Sequence, residues 1–251
     1  MRFITGILLF LFLKNSYCQE KVTFKSEDGL VITADLYLKD SRLPFIILFH
    51  QDNSSRGEYR EIAPKLLNLN YNCLAVDLRY GGKMNFIENE TCLNATKNKI
   101  SHQMIDVMAD IKAAIRYAHD FNNKKVILFG SIFSASLVMI AANKSEDVSA
   151  VIAFSPGEFF RSGYNVREAL KGFDKMLFVT ATHKEQSFVT KLLDGINENK
   201  FTLFVPKETD GVQGAKALWE ASEGNQEYWM ALLMFFKMLN SENGDIENKS
   251  P

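Results

Sequence analysis

The sequence predicts an α/β domain with a mostly parallel, eight-stranded twisted sheet, an N-terminal antiparallel hairpin and helices on both faces. Two observations support this fold class. Short, continuous apolar runs of strand length recur along the chain, and segments of helical periodicity lie between them. A repeated strand, helix, strand order builds a parallel sheet that is covered on both faces. A chain of 251 residues suits one such domain.

The N-terminus has the pattern of a cleavable leader. Arg2 precedes an apolar core at residues 4–13, which is too short to span a bilayer securely. Ser16 and Cys18 occupy positions −3 and −1 of a signal-peptidase site before Gln19. We therefore expect a signal peptide at 1–18, a secreted or periplasmic protein, and no stable membrane span after cleavage. An uncleaved anchor and a lipoprotein acylated at Cys18 are the alternatives.

The predicted strands follow in chain order. Lys21–Lys25 and Leu30–Leu38 flank a Ser-Glu-Asp-Gly turn sequence, which indicates the hairpin. Six later apolar runs have the length of strands that are buried on both faces. These runs are Phe45–Phe49, Cys73–Val76, Val126–Phe129, Ala150–Phe154, Met176–Val179 and Phe201–Val205.

Three segments have the spacing of helices. Apolar residues recur every three or four positions from Met104 to Ala118, with Ser101 placed as an N-cap. A second helix continues through 137–141. The third covers Glu227–Leu239, and its predicted packing face is Trp229, Leu232, Phe235, Phe236 and Leu239.

Two segments are expected to lack regular structure. The stretch 157–173 is the one long interruption between strands, and it could hold a small lid or one irregular helix. Residues 241–251 are polar and are expected to form a flexible tail. The domain itself is therefore predicted to span 19–240.

Charge and cysteine content limit the partners. The formal charge is −1, and basic residues are interspersed with acidic ones. This argues against a nucleic-acid partner, and no cofactor or metal is predicted. Export would permit a Cys73–Cys92 disulfide. We favour Cys73 as a small core residue, because it opens an apolar run.

Ligands bind beyond the carboxyl ends of strands in such sheets, and the residues there resemble a known family. Gly130 and Ser134 bracket one residue of a strand-to-helix turn, while His50-Gln51 and the 76–79 segment end two other strands. This layout resembles the α/β-hydrolase superfamily, and within it the dienelactone-hydrolase-like serine esterases, over nearly all of the mature chain. The turn matches a nucleophile elbow, Gly-x-Ser-x-Gly, with Ser in place of the last Gly.

The resemblance places catalytic residues at positions that this sequence has changed. The nucleophile position holds Ile132, and the histidine position in the 211–214 loop holds Gln213. A glutamine amide does not titrate near neutral pH and cannot act as a general base. Glu185 falls at the acid position, although it equally fits the start of a solvated helix. The resemblance also implies backbone oxyanion donors at Gln51 and Phe133, which could still bind a carbonyl or carboxylate ligand.

Other residues fit the missing roles poorly. With Ser131 or Ser134 as nucleophile, bulky residues would stand where the elbow needs small ones. His183 lies on the loop that normally carries the acid. An isoleucine at an elbow with positive φ would cost about 1–3 kcal/mol. We therefore predict that the turn has relaxed or that Ile132 plugs the pocket.

These observations favour a hydrolase-fold protein without catalytic activity, which keeps a binding pocket or acts as a scaffold. In subtilisin, loss of the serine or the histidine alone lowers turnover on the order of a million-fold. One alternative is an active serine-type ester or acyl hydrolase with a non-standard nucleophile. A subunit that completes its site with a partner is another.

Overall fold

An eight-stranded sheet forms the centre of the protein, whose computed structural model describes residues 18–160 and 163–247. The predicted leader lies outside these ranges, apart from Cys18. The strands are β1 Cys18–Lys25, β2 Val31–Leu38, β3 Phe45–Phe49, β4 Asn72–Val76, β5 Lys83–Met84, β6 Ile87–Glu88, β7 Val126–Ser131, β8 Val148–Phe154, β9 Met176–Thr180 and β10 Phe201–Phe204.

The sheet has the predicted mixed topology. Its order is β1-β2-β4-β3-β7-β8-β9-β10, while β5 and β6 form a separate small hairpin. β2 pairs antiparallel with β1 and β4, and all other neighbours in the sheet are parallel. The fold class expected from the sequence is therefore confirmed. β1 begins before the predicted Lys21, because its register along β2 extends to Cys18 opposite Leu38.

Helices cover both faces of the sheet. They are α1 Ala63–Leu67, α2 Glu90–Lys97, α3 Met108–Asn122, α4 Phe133–Asn143, α5 Val166–Ala169, α6 Gln186–Leu192 and α7 Asn225–Glu247. Strand alternation divides the core: Ile47 packs with α3 and α4 on one face, and Ile46 packs with α1 and α7 on the other. In the described part of the chain, no helix is long and apolar enough to cross a membrane.

Helix ends differ from the predicted ones at two places. Ser101 is not an N-cap, because its hydroxyl donates to the Asp106 carboxylate and a 3₁₀ turn from Met104 precedes α3. Asp106 also accepts the Gln103 N–H at 3.1 Å, which satisfies the start of that turn.

The C-terminal helix is longer than expected. α7 continues to Glu247, past the predicted domain end at 240, since the sequence from 240 to 247 contains no proline to stop it. The remainder of the predicted tail, 248–251, lies outside the described residues. On the predicted packing face of α7, Leu232, Phe235, Phe236 and Leu239 are buried and Trp229 is half-buried.

Among its described residues, 157–160 and 163–173, the interruption contains one short helix, α5. Asn165 caps it by accepting the Glu168 N–H at 2.9 Å. The Glu158 carboxylate accepts the N–H groups of Val166 and Arg167 at 2.8 and 2.9 Å. Of the two structures predicted for this segment, the irregular helix is therefore the one observed.

Two buried arginines tie the strand ends to their surroundings. Arg56 contacts Asp35 on β2 at 3.0 Å, and its backbone N–H donates to Asp77 at 2.8 Å. Arg79 contacts Asp110 on α3 at 2.8 Å. These pairs are hydrogen-bonded at several atoms, as buried ions must be to offset desolvation. Arg56 thus ties the middle of β2 to the segment after β4, and Arg79 ties that segment to α3.

Cys73 and Cys92 are both free thiols. Cys73 lies in β4 with no exposed surface, and its burial raises the pKa of the thiol. It is a small core residue, as favoured from the sequence.

Candidate functional site

The strand-to-helix turn after β7 keeps the geometry of a nucleophile elbow. Ile132 connects β7 to α4 with φ 56° and ψ −111°. Its N–H donates to the Phe154 carbonyl of β8 at 2.8 Å. The prediction that this turn has relaxed is therefore wrong, and a β-branched residue occupies a conformation that side chains rarely adopt.

The neighbours of Ile132 explain why the turn persists. A Cβ on Gly130 would lie 2.5 Å from the Ala135 backbone, so only glycine fits there. The Ser134 hydroxyl donates to the Phe49 carbonyl at 2.7 Å and accepts the Ser131 N–H at 2.9 Å. Close packing of α4 on the sheet therefore holds the turn, whatever the side chain at its centre.

The Ile132 side chain is half-buried and lies against the loop after β10. Its Cγ1 is 3.1 Å from the position that a Cβ on Gly214 would take, and Gln51 Oε1 is 3.0 Å from the same point. Hydrocarbon thus occupies the space in which the reactive oxygen of an esterase would stand. This crowding fits the expectation that Ile132 fills the pocket.

Gln213 and Glu185 lie together on the other side of the elbow. Gln213 Nε2 donates to Glu185 Oε1 at 2.6 Å, and Glu185 Oε2 accepts the Thr182 N–H at 2.9 Å. Glu185 also stands at the N-terminal end of α6. Glu185 therefore lies at the start of α6, which is one of its two predicted roles, and its role as the acid stays a prediction.

Ser155 joins these two loops and was not singled out from the sequence. It follows β8 with φ 55°. Its hydroxyl donates to Glu185 at 3.0 Å and accepts the Gly214 N–H at 3.2 Å. The sequence signal that could have identified Ser155 is its position directly after the Ala150–Phe154 run, because site residues follow strand ends.

The oxyanion side of the site is partly blocked by Glu58, a second residue that the sequence did not indicate. The Gln51 N–H, expected to be a free donor, donates to Glu58 Oε2 at 2.9 Å. Ser54 and Ser131 donate to the same carboxyl at 2.9 and 2.7 Å. Glu58 has no exposed surface, and burial raises its pKa.

Phe133 retains the position expected of the second oxyanion donor. It is the first residue of α4, where helix N–H groups have no intrahelical acceptor. Of the two predicted donors, Gln51 is therefore occupied by Glu58, while Phe133 keeps its place at the start of α4 with its side chain fully buried.

No accessible serine replaces the missing nucleophile at the elbow. Ser131, Ser134 and Ser136 all have 0% exposure. The Ser131 hydroxyl is bonded to Glu58 and also accepts the Ala215 N–H at 2.9 Å. Each hydroxyl fills a structural role beneath the surface.

No histidine replaces the missing base either. His50 is fully buried, accepts the Leu78 N–H at Nε2 (3.0 Å), and faces the Gln51 carbonyl through Nδ1 at 2.7 Å. Burial lowers the pKa of His50 to about 4, so its ring is neutral at physiological pH. His183 is exposed, while His102 precedes α3 and His119 lies near its end, away from the elbow.

Comparison with known proteins places the chain in a family. Residues 32–198 match the model of the dienelactone hydrolase family. The chain belongs to this family. The matched region contains the elbow and Glu185 but ends before Gln213, so the assignment of Gln213 rests on its contact with Glu185. No curated protein matches the sequence.

Solved structures agree with this dienelactone hydrolase family assignment at the level of the fold. An esterase of Pyrococcus furiosus has a TM-score of 0.65 at 16% identity, covering 89% of this chain and 92% of its own. A dienelactone hydrolase from Anabaena variabilis gives 0.64 at 14% identity, with 87% and 95% covered. The α/β-hydrolase GrgF from a Penicillium species gives 0.67 at 13%, with 88% and 98% covered.

Four pockets with volumes of about 250–540 Å³ lie elsewhere in the described part of the chain, and Gln51, Ile132 and Gln213 line none of these four. Among the residues that the structure describes, no three His, Cys, Asp or Glu side chains form a metal site.

Relief of backbone strain gives a first prediction. We expect Ile132→Gly to leave the free energy of unfolding unchanged or raised, because glycine removes about 1–3 kcal/mol of strain that offsets the lost burial. Ile87 is also half-buried but has ordinary φ. In urea unfolding, Ile87→Gly should therefore lower the free energy of unfolding by about 1–3 kcal/mol more than Ile132→Gly does. Equal losses at the two positions would refute strain at Ile132.

Burial of His50 gives a second prediction, on pH. The folded pKa of about 4 lies below the ordinary 6.5, so the unfolded chain binds more protons between these values. This contribution to stability is complete above pH 6.5 and is lost as the pH falls towards 4, by about 3 kcal/mol in all. Urea unfolding at several pH values should show a flatter dependence for His50→Gln. If the free energy of unfolding of the native chain and of His50→Gln changed equally with pH, a lowered pKa at His50 would be contradicted.

Proposed function

We propose that this chain is an exported, catalytically inactive member of the dienelactone hydrolase family that acts through its surface. The observation that supports this is Ile132, which projects hydrocarbon from an elbow that keeps full nucleophile geometry. Export is inferred from the leader pattern at 1–18.

The base position supports the same proposal. The Gln213 amide is held by Glu185 at 2.6 Å, in the manner of a histidine held by its acid. An amide can neither accept a proton from a hydroxyl nor return it to a leaving group at neutral pH. The site therefore lacks the side chains for both the nucleophile and the base, and a carboxylate at position 185 replaces neither.

The filled site favours a scaffold or binding role over capture of a small carbonyl or carboxylate ligand. Gln51 N–H is already bonded to Glu58, and Ile132 lies against Gly214. Small-molecule sites are concave clefts with well-placed polar groups, and an occupied donor beside the Ile132 side chain does not fit that description.

One observation favours a second candidate, an active hydrolase with Ser131 as nucleophile. Its hydroxyl is 2.7 Å from Glu58, a carboxyl whose pKa is raised by burial. A hydroxyl beside a proton acceptor is the arrangement of an activated nucleophile. Both residues have zero exposure, so the loop at Gly214 would have to open before any substrate could reach them.

A fluorophosphonate probe tests both candidates. We expect no covalent labelling of the purified protein and no hydrolysis of short-chain aryl esters above the rate in buffer. Ser131→Ala serves as the matched control. Labelling that disappears in Ser131→Ala would establish the second candidate, and labelling that persists there would place an active nucleophile elsewhere and also refute the inactive assignment.

A further inference from the structure

Helix α7 carries an exposed stripe of methionines. Met230, Met234 and Met238 are 61%, 60% and 44% exposed. They are spaced four residues apart and therefore lie along one side of the helix. An apolar stripe of this kind on a soluble protein indicates an interaction surface.

The stripe lies beside an open sheet edge. β10 is the last strand of the sheet and pairs only with β9 among the described residues. The Phe204 carbonyl accepts the Ala181 N–H at 3.0 Å, so the main-chain N–H and C=O of Phe204 point towards β9. Since main-chain direction alternates along a strand, the N–H and C=O of Leu203 face outwards.

β10 itself, Phe-Thr-Leu-Phe, contains no charge and no proline. It is short, and Lys200, Pro206 and Lys207 flank it, so its four residues are the part of the edge that is free of such protection. Exposed edges with these properties pair with other strands unless something covers them. An open groove of about 540 Å³, lined by Thr202, Phe204 and the three methionines, joins the edge to the helix. A single partner would therefore contact both.

We propose that this surface, β10 with Met230, Met234 and Met238, binds a second copy of the same chain. Antiparallel pairing of β10 with its twofold-related copy is self-complementary, because each edge then satisfies the other. Neighbouring strands lie about 4.8 Å apart and a helix is about 10 Å wide. The same twofold axis that joins the strands thus brings the two methionine stripes into contact.

The size and charge of the surface favour this occupant. A stable interface buries about 800 Å² on each partner, more than four strand residues supply alone. The methionine stripe extends the contact, and its flexible side chains adapt to an identical stripe. Neither β10 nor the three methionines carry a charge, and the one charged residue that lines the groove, Glu227, accepts the Lys207 N–H at 2.9 Å at its end of the groove. The proposal is independent of whether the elbow is catalytic.

Sedimentation velocity of the purified protein from about 1 to about 100 µM tests the proposal. We expect a dimer that the double variant Met230→Glu/Met234→Glu weakens at least about a hundred-fold in Kd, because it buries like charges. Leu93→Glu is the matched control. Leu93 is 58% exposed on α2, which packs on β2 near the other end of the sheet. Circular dichroism checks that each variant is folded.

Amide hydrogen exchange distinguishes strand pairing from contact of the helices alone. The Leu203 amide should exchange more slowly above the dimer Kd than below it, and in the double variant it should exchange rapidly at every concentration. A monomer at about 100 µM, a dimer unaffected by the double variant, or Leu203 exchange independent of concentration would each overturn the proposal. So would a monomer whose stripe instead binds phospholipid vesicles or the uncleaved residues 1–18.

Discussion

The double variant Ile132→Ser/Gln213→His is expected to hydrolyse p-nitrophenyl acetate about a thousand-fold faster than the native chain. The elbow already has the required backbone, with φ 56° and ψ −111° at position 132. Glu185 already holds the side chain at 213 through a bond of 2.6 Å. Restoring the pair would place a hydroxyl and an imidazole beside Glu185, in the arrangement of a nucleophile, a base and an acid.

The expected gain follows from two opposing magnitudes. Loss of a nucleophile or base lowers turnover on the order of a million-fold. Loss of one oxyanion donor costs about a hundred- to a thousand-fold, and the Gln51 N–H remains occupied by Glu58. Recovery should therefore stop about three orders of magnitude short of a complete site.

The single variants provide the controls for this experiment. Ile132→Ser and Gln213→His should each remain near the native rate, because nucleophile and base act as a unit. A folded double variant without activity would show that the site has lost more than its two side chains. Activity in Ile132→Ser alone, equal to that of the double variant, would show that position 213 is not the base position.

Asp110→Ala is expected to lower the free energy of unfolding by about 3–5 kcal/mol. The Asp110 carboxylate has no exposed surface and accepts three bonds from Arg79, at the backbone N–H (2.8 Å), Nε (2.9 Å) and Nη2 (2.8 Å). The variant leaves the guanidinium, 2% exposed, with Asp28 as its remaining carboxylate. A buried charge without its partner retains its desolvation cost.

Thermal and urea unfolding measure this effect. The melting temperature should fall by about 6–20 °C, since each kcal/mol corresponds to about 2–4 °C in a domain of this size. Lys83→Ala removes an exposed ion pair with Glu88, both side chains being 55% exposed, and should leave the midpoint within error. An Asp110→Ala midpoint equal to that of Lys83→Ala would show that the buried pair does not stabilise the fold.

Much of the fold could be predicted because its elements depend on neighbours in sequence. A run such as Phe45–Phe49 is apolar at every position, and only a strand covered on both faces buries such a run. The elbow was equally local: small residues at 130 and 134 identified position 132, and the absence of a nucleophilic atom there followed directly.

The partners of polar side chains could not be predicted, because they come from distant parts of the chain. Glu58 meets Ser131 across 73 positions, and Ser134 meets the Phe49 carbonyl across 85. Neither contact leaves a periodic pattern in the sequence. The blocked Gln51 donor and the role of Ser155 were missed for the same reason.

Residue types within short segments were enough to predict the sheet, its covering helices, and an isoleucine and a glutamine at positions 132 and 213. The strained backbone of Ile132 and the methionines beside an open sheet edge became visible in the folded structure alone. Backbone strain persists when surrounding packing outweighs it. The exposure of the methionines and of the β10 edge depends on which elements pack nearby. Residues adjacent in sequence therefore indicate neither the strain nor the exposure.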